Sequence, residues 1–193
     1  MKRLRLLPLL LTAAMLFGCA AGPETDGAAR IAAPKAAAVR GMKKDGSSTG
    51  ERETLAEGYR EALSAFCVRT AREGLGTAGQ EKAPISPVSL YFAVAALAGA
   101  AEGETRAELL RALGMEQALL ESETAKLRTN MNIEDAMGKL AVAGSLWLAD
   151  AFAGALDTEA AEALADAYGM EIWRADLADT ATAEALADWV QEH

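Results

Sequence analysis

The sequence predicts an α+β domain. From residue 52 onward, apolar residues recur at helical spacing over most of the chain. Two segments break that rhythm and read as strands: 140–149, which alternates with a period of two, and 170–177. Helix punctuation agrees: Ser86, Thr105 and Asp157 precede helical runs, and Gly114 and Gly169 follow them.

The chain opens with Lys2, Arg3 and Arg5, then an apolar run from Leu6 to Phe17, then Gly18 and Cys19. A charged start, a short apolar stretch and a small residue before the cut make residues 1–18 an export signal. The run is too brief for a comfortable membrane span. Leu16-Phe17-Gly18-Cys19 resembles the lipobox of bacterial lipoproteins. That resemblance implies cleavage before Cys19 and acylation of its thiol and new amino terminus. An ordinary secretion signal that happens to hold a cysteine is the alternative.

Residues 19–52 read as a flexible, lipid-anchored tether. Residues 20–51 contain five glycines, two prolines and many alanines but no aromatic residue, too little apolar surface to order a chain. Such a tether spans roughly 30 Å on average. The domain proper is 53–193. From Arg52 to Arg72, Leu55, Tyr59, Leu63, Phe66 and Cys67 form one helical stripe, with Cys67 as a buried, inert thiol. Residues 73–83 are a glycine-containing loop, and Ile85 is a short strand residue.

Ser86-Pro87 fits an N-cap followed by proline at the first helical position, where the missing N–H costs nothing. Leu90, Phe92, Val94 and Leu97 then alternate with alanines, without a charge before Glu102. A helix apolar on every side is a buried helix. Gly99 and Gly103 flank its exit, and Thr105 with Glu108 forms a capping box for a helix striped by Leu109, Leu110 and Leu113. Residues 116–135 are polar and helix-permissive, with Leu119, Leu120, Leu127 and Met131 as apolar positions. In the strand of 140–149, Leu140, Val142, Leu146 and Leu148 alternate with Ala141, Ala143, Ser145 and Trp147, so both faces are covered. Asp157 caps a helix running to about Tyr168, with Ala161, Leu164 and Tyr168 on one stripe. The strand of 170–177 holds Ile172, Trp173 and Leu177. Thr180 opens a last helix with Leu186, Trp189 and Val190 inward.

Several of these features, in this order, resemble the N-terminal part of a serpin, a serine protease inhibitor. They are the Ser-Pro-x-Ser opening of a buried helix, its Gly-Ala-rich exit, the Gly-x-Thr and the Leu-Leu-x-Ala-Leu-Gly helix. Tyr168-Gly169-Met170-Glu171 resembles the family's Tyr-Gly-Ala-Glu. Asp188-Trp189-Val190-Gln191-Glu192 resembles the Trp-Val motif on the helix that lies across the large sheet. Gly144 stands where the family pattern has asparagine. The resemblance implies N-terminal helices and large-sheet strands of a serpin fold, incomplete at the C-terminus. The reactive-centre loop, which a protease attacks and which then inserts into the sheet, is absent from this chain on that reading. Residues 1–193 are then a fragment without inhibitory activity of their own. The implied partners of the parent are serine or cysteine proteases. The resemblance also places Ser86 and Ser89 in the shutter, beneath the opening of the sheet. Read from the residues alone, Ser86 is a helix cap and Ser89 a small residue in a tight core.

Charge and composition exclude other functions. The formal net charge is −9, and it becomes −12 once Lys2, Arg3 and Arg5 leave with the signal. That argues against nucleic acid and anionic headgroups as partners. Lys126 and Arg128 stand among Glu116, Glu121, Glu123, Glu134 and Asp135, so no polysaccharide site is expected. The lone histidine, His193, leaves no histidine triad and no histidine metal site. With no phosphate loop and no Cys-x-x-Cys, neither an enzyme nor a cofactor is expected. The alternative to an inhibitor is a non-inhibitory α-rich lipoprotein that binds a protein partner through its apolar sheet surface.

Overall fold

A computed structural model of the chain describes residues 27–35, 41–42, 48–75, 85–153 and 156–193. Strand β1 (Ala28–Ala32) comes first, followed by the short antiparallel pair β2 (Gly41–Met42) and β3 (Ser48–Thr49). Four helices follow: α1 (Glu57–Leu75), α2 (Pro87–Ala100), α3 (Gly103–Leu113) and α4 (Gln117–Met131). A hairpin of two-residue strands, β4 (Ile133–Glu134) and β5 (Lys139–Leu140), leads to β6 (Gly144–Ala149). One turn of helix, α5 (Asp150–Ala153), precedes α6 (Thr158–Tyr168), β7 (Met170–Ala175) and α7 (Thr180–Glu192). The α+β class therefore holds.

The main sheet has the order β1-β7-β6. β6 and β7 run parallel in unbroken register from Gly144–Met170 to Ala149–Ala175. Parallel neighbours need a helical crossover, and α6 supplies it. Period-two alternation sends Leu146, Met170 and Ile172 to one face, where they meet Tyr59, Phe66, Tyr91, Phe92, Leu113 and Tyr168 of the helical layer. The opposite face carries Trp147, Trp173 and Ala175, and α7 covers it with Ala185 and Trp189.

Helix α2 lies in the middle of the helical layer, with Tyr91, Phe92, Ala93, Ala95, Ala96 and Ala98 buried. Its alanines and Gly99 allow close approach. A Cβ at Gly99 would fall 2.4 Å from Tyr168 Cε2 and 2.7 Å from Leu164 Cδ1. Burial is not all-round, however. Leu90 is 43% exposed and shares an open side with Ser86, one helical turn away.

Other expectations need correction. The tether reading of 19–52 fails at 28–32, because main-chain pairing to the β7 edge orders a segment too poor in large side chains to order itself. Ala32 is buried there, and Ile31 packs on the core. The Thr105–Glu108 capping box does not form. Helix α3 starts earlier, at Gly103, with the Arg106 N–H bonded to the Glu102 carbonyl and Arg106 Nε to the Ala101 carbonyl. The strand of 140–149 is interrupted. Asp135 Oδ1 accepts the Met137 and Gly138 N–H groups in a tight turn, so Leu140 pairs back with Ile133 and stays exposed. The strand of 170–177 stops at Ala175, where Asp176 accepts the Ala178 N–H and Leu177 turns outward. Helix α1 continues past Arg72 to Leu75, and Ile85 belongs to no strand. Cys67 is only partly buried. Residues 76–83 of the expected loop lie outside the described residues.

Candidate functional site

The opening of α2 is built as its sequence demands. Ser86 is the N-cap, in extended conformation, and Pro87 occupies the first turn. Ser86 Oγ accepts the Ser89 N–H at 3.3 Å and the Ser89 hydroxyl at 2.7 Å. The two hydroxyls therefore satisfy the helix end and each other. Ser86 is exposed and Ser89 half-buried, so the pair sits at the surface of the described residues. Cys19, the expected lipid site, and residues 1–18, the expected export signal, lie outside the described residues.

A second polar constellation stands on the α7 side of the sheet, and sequence reasoning missed it. Glu171 is buried, and one of its oxygens, Oε2, accepts from two indoles: Trp173 Nε1 at 3.0 Å and Trp189 Nε1 at 2.9 Å. Its other oxygen, Oε1, accepts from the Arg30 guanidinium at 3.2 Å, with His193 Nε2 3.9 Å away. The His193 ring stacks on Trp189, with centroids 4.4 Å apart. A buried carboxylate is tolerable only when its lone pairs are taken up in this way. The available signal was the period-two spacing of Glu171 and Trp173, which puts the acid on the same face as the indole.

In the helical layer, hydroxyls cluster where α1, α2, α4 and α6 meet. Tyr59 and Thr124 share a hydrogen bond of 3.1 Å, and the Tyr59 and Tyr91 rings meet edge to face with centroids 5.7 Å apart. Burial pushes the Tyr59 phenol up to about 12, against the opposing bond from Thr124. Burial also pushes Tyr91 and Tyr168 upward. Burial likewise raises the Cys67 thiol, which disfavours its thiolate. These groups are held in their neutral, unreactive forms. Among the described residues, no cluster of three or more His, Cys, Asp or Glu side chains could hold a metal ion. Nor is any helix there long and apolar enough to cross a membrane.

A two-sided sheet, a central buried helix capped by Ser-Pro and a last helix laid over the far sheet face form the architecture. The family described as Serpin (serine protease inhibitor) matches residues 61–193, well over half of the chain. The chain belongs to the serpin family. No curated protein and no solved structure matches it.

Proposed function

We propose that residues 53–193 are the front section of a suicide-type inhibitor of serine or cysteine proteases, exported and held on a bacterial envelope by lipid on Cys19. The carrying observation is the serpin family match over 61–193. The Ser86–Ser89 hydroxyl pair at the start of α2 supports a shutter role, since two short, mutually bonded hydroxyls can exchange partners when neighbouring strands part. The signal-like residues 1–18 and the lipobox-like Leu16–Cys19 support export and anchoring. The bait loop is not among residues 1–193 in this reading, so these residues alone trap no protease.

Incubating residues 19–193 with a panel of serine proteases should give no SDS-stable complex. A complex formed by these residues alone overturns the reading. The genomic DNA after the His193 codon supplies the positive test, with an in-frame continuation resembling Thr-x-Gly-Lys expected. Metabolic labelling with a fatty acid should mark the wild-type chain and spare Cys19→Ser. Equal labelling removes the anchoring half of the proposal.

A further inference from the structure

Strand β1 precedes the residues that match the family, yet it is bound to three separate elements of the domain. Its main chain pairs with the outer edge of β7 at Ala28–Ala175, Ala29–Arg174, Arg30–Trp173 and Ala32–Ile172, with a bulge between Arg30 and Ala32. Its entry is pressed against α7. Gly27 has φ +96°, a Cβ there would fall 2.7 Å from Ala181 Cβ, and Thr182 Oγ1 donates to the Gly27 carbonyl at 3.2 Å. Mid-strand, Arg30 reaches Glu171 and lies 5.7 Å from the Trp173 ring centroid. Beyond the strand, the Lys35 N–H bonds Asp166 Oδ1 at 2.8 Å, and its ammonium pairs with Asp166 Oδ2.

Without this segment, β7 would present a six-residue edge, Met-Glu-Ile-Trp-Arg-Ala, with unpaired N–H and C=O groups. Such an edge is a template for strand addition by another chain. The same removal would leave Glu171 without its guanidinium partner and Thr182 without its acceptor.

We infer that residues 27–35 are a built-in strap that fills the strand-acceptor edge of β7, closing it to a second copy of the chain, and pins α7 to the sheet through Arg30 and Glu171. The strap works in cis. Its alternative is edge-to-edge pairing of β7 with β7 of a second copy when the intramolecular pairing is weakened.

The test begins with Ala29→Cys/Arg174→Cys in the full chain, with Cys19→Ala and Cys67→Ser removing the other thiols. Ala29 and Arg174 are register partners, so their Cα atoms are within disulfide reach. Oxidation should give a cross-linked monomer. Failure to cross-link, or cross-linked dimers alone, overturns the inference. A second variant, Ala29→Pro/Arg30→Pro in the full chain, removes the N–H groups of two adjacent paired residues, neither of which belongs to the core cluster of the helical layer. Amide exchange in β7 and α7 should then rise at least ~10-fold relative to α2. Sedimentation should show concentration-dependent dimers, and excess synthetic peptide of residues 27–35 should return them to monomer. Unchanged exchange with an unchanged sedimentation profile refutes the strap. If Ala29→Pro/Arg30→Pro loses its helical circular dichroism, the cross-link decides alone.

Discussion

Trp147 and Trp173 stack across the β6–β7 pair, with ring centroids 5.1 Å apart and planes 5° from parallel. They are register partners, as are Ser145 and Glu171 two residues earlier. Each indole N–H is accepted by the side chain two positions before it: Trp147 by Ser145 Oγ at 2.9 Å and Trp173 by Glu171 at 3.0 Å. The same local device thus appears on both strands. On β7 the acceptor is charged, and it has capacity left for Trp189 of α7. A stacked pair contributes about 1 kcal/mol beyond its buried area, but it is Glu171 that ties the sheet face to the helix.

Glu171→Ala should be strongly destabilising. It strands two buried indole N–H groups and the Arg30 guanidinium, which together cost about 3 kcal/mol. Glu171→Gln keeps one acceptor oxygen and should cost about 1 kcal/mol. Urea denaturation gives the comparison. Tryptophan emission of Glu171→Ala should also shift to the red as Trp189 meets water. Equal stability of the two variants would remove Glu171 from its central place.

Gly99→Ala should lower stability although alanine is the better helix former. The propensity gain is about 1 kcal/mol. Against it, the new methyl collides with the ring of Tyr168 and with Leu164, and both are buried at the α2–α6 contact. A rigid ring in a dense layer cannot move aside, and overpacking of this kind costs typically ~1–3 kcal/mol. Thermal unfolding should therefore show a lower midpoint. A raised midpoint would mean that α6 yields.

The parts of the fold that were legible in the sequence are those fixed within a few residues. Ser86 with Pro87, Asp157 bonded to the Ala160 N–H, and left-handed Gly114 and Gly169 are local chemistry, and each stands where its residue type placed it. Strand β1 was illegible because its order comes from main-chain pairing with residues far along the chain, to which its alanines contribute little. Glu171 was missed for a related reason. An acid in a strand reads as solvent-facing until a helix contributed by later residues covers it. Leu140 was misplaced because a turn centred on Asp135 overrides the alternation that runs through it.

The three tyrosines of the chain, Tyr59, Tyr91 and Tyr168, are all buried and all raised above the ordinary phenol value, with burial as the main cause. Folding holds the neutral phenol. The stability this supplies is complete below 10.0 and, for Tyr59, is lost as pH rises through about 12. Phenolate absorbance should therefore appear late and together with loss of helical circular dichroism. Phenolate formation at the ordinary value, with the fold intact, would show that at least one ring is open to water.

The acid side of the stability profile should be governed in part by Glu123. Its side chain on α4 is 3% exposed, yet it is placed to be charged. Burial alone would raise its carboxyl. The Lys126 ammonium at 2.6 Å and the Ala56 N–H at 2.7 Å outweigh burial and hold it below the ordinary glutamate value of 4.5. Ala56 immediately precedes α1, so the carboxylate also faces the positive end of that helix. A lowered folded value means that the charged form stabilises the fold above 4.5, and that this contribution disappears as pH falls through the folded value. Glu123→Gln retains an acceptor for Ala56 but loses the charge, and should cost about 2 kcal/mol at neutral pH. Because the wild-type carboxylate itself protonates in acid, the two chains should converge in stability well below 4.5. Urea denaturation of both chains at neutral and at acidic pH measures the gap. A gap that stays constant would assign the whole effect of Glu123 to packing rather than to its charge.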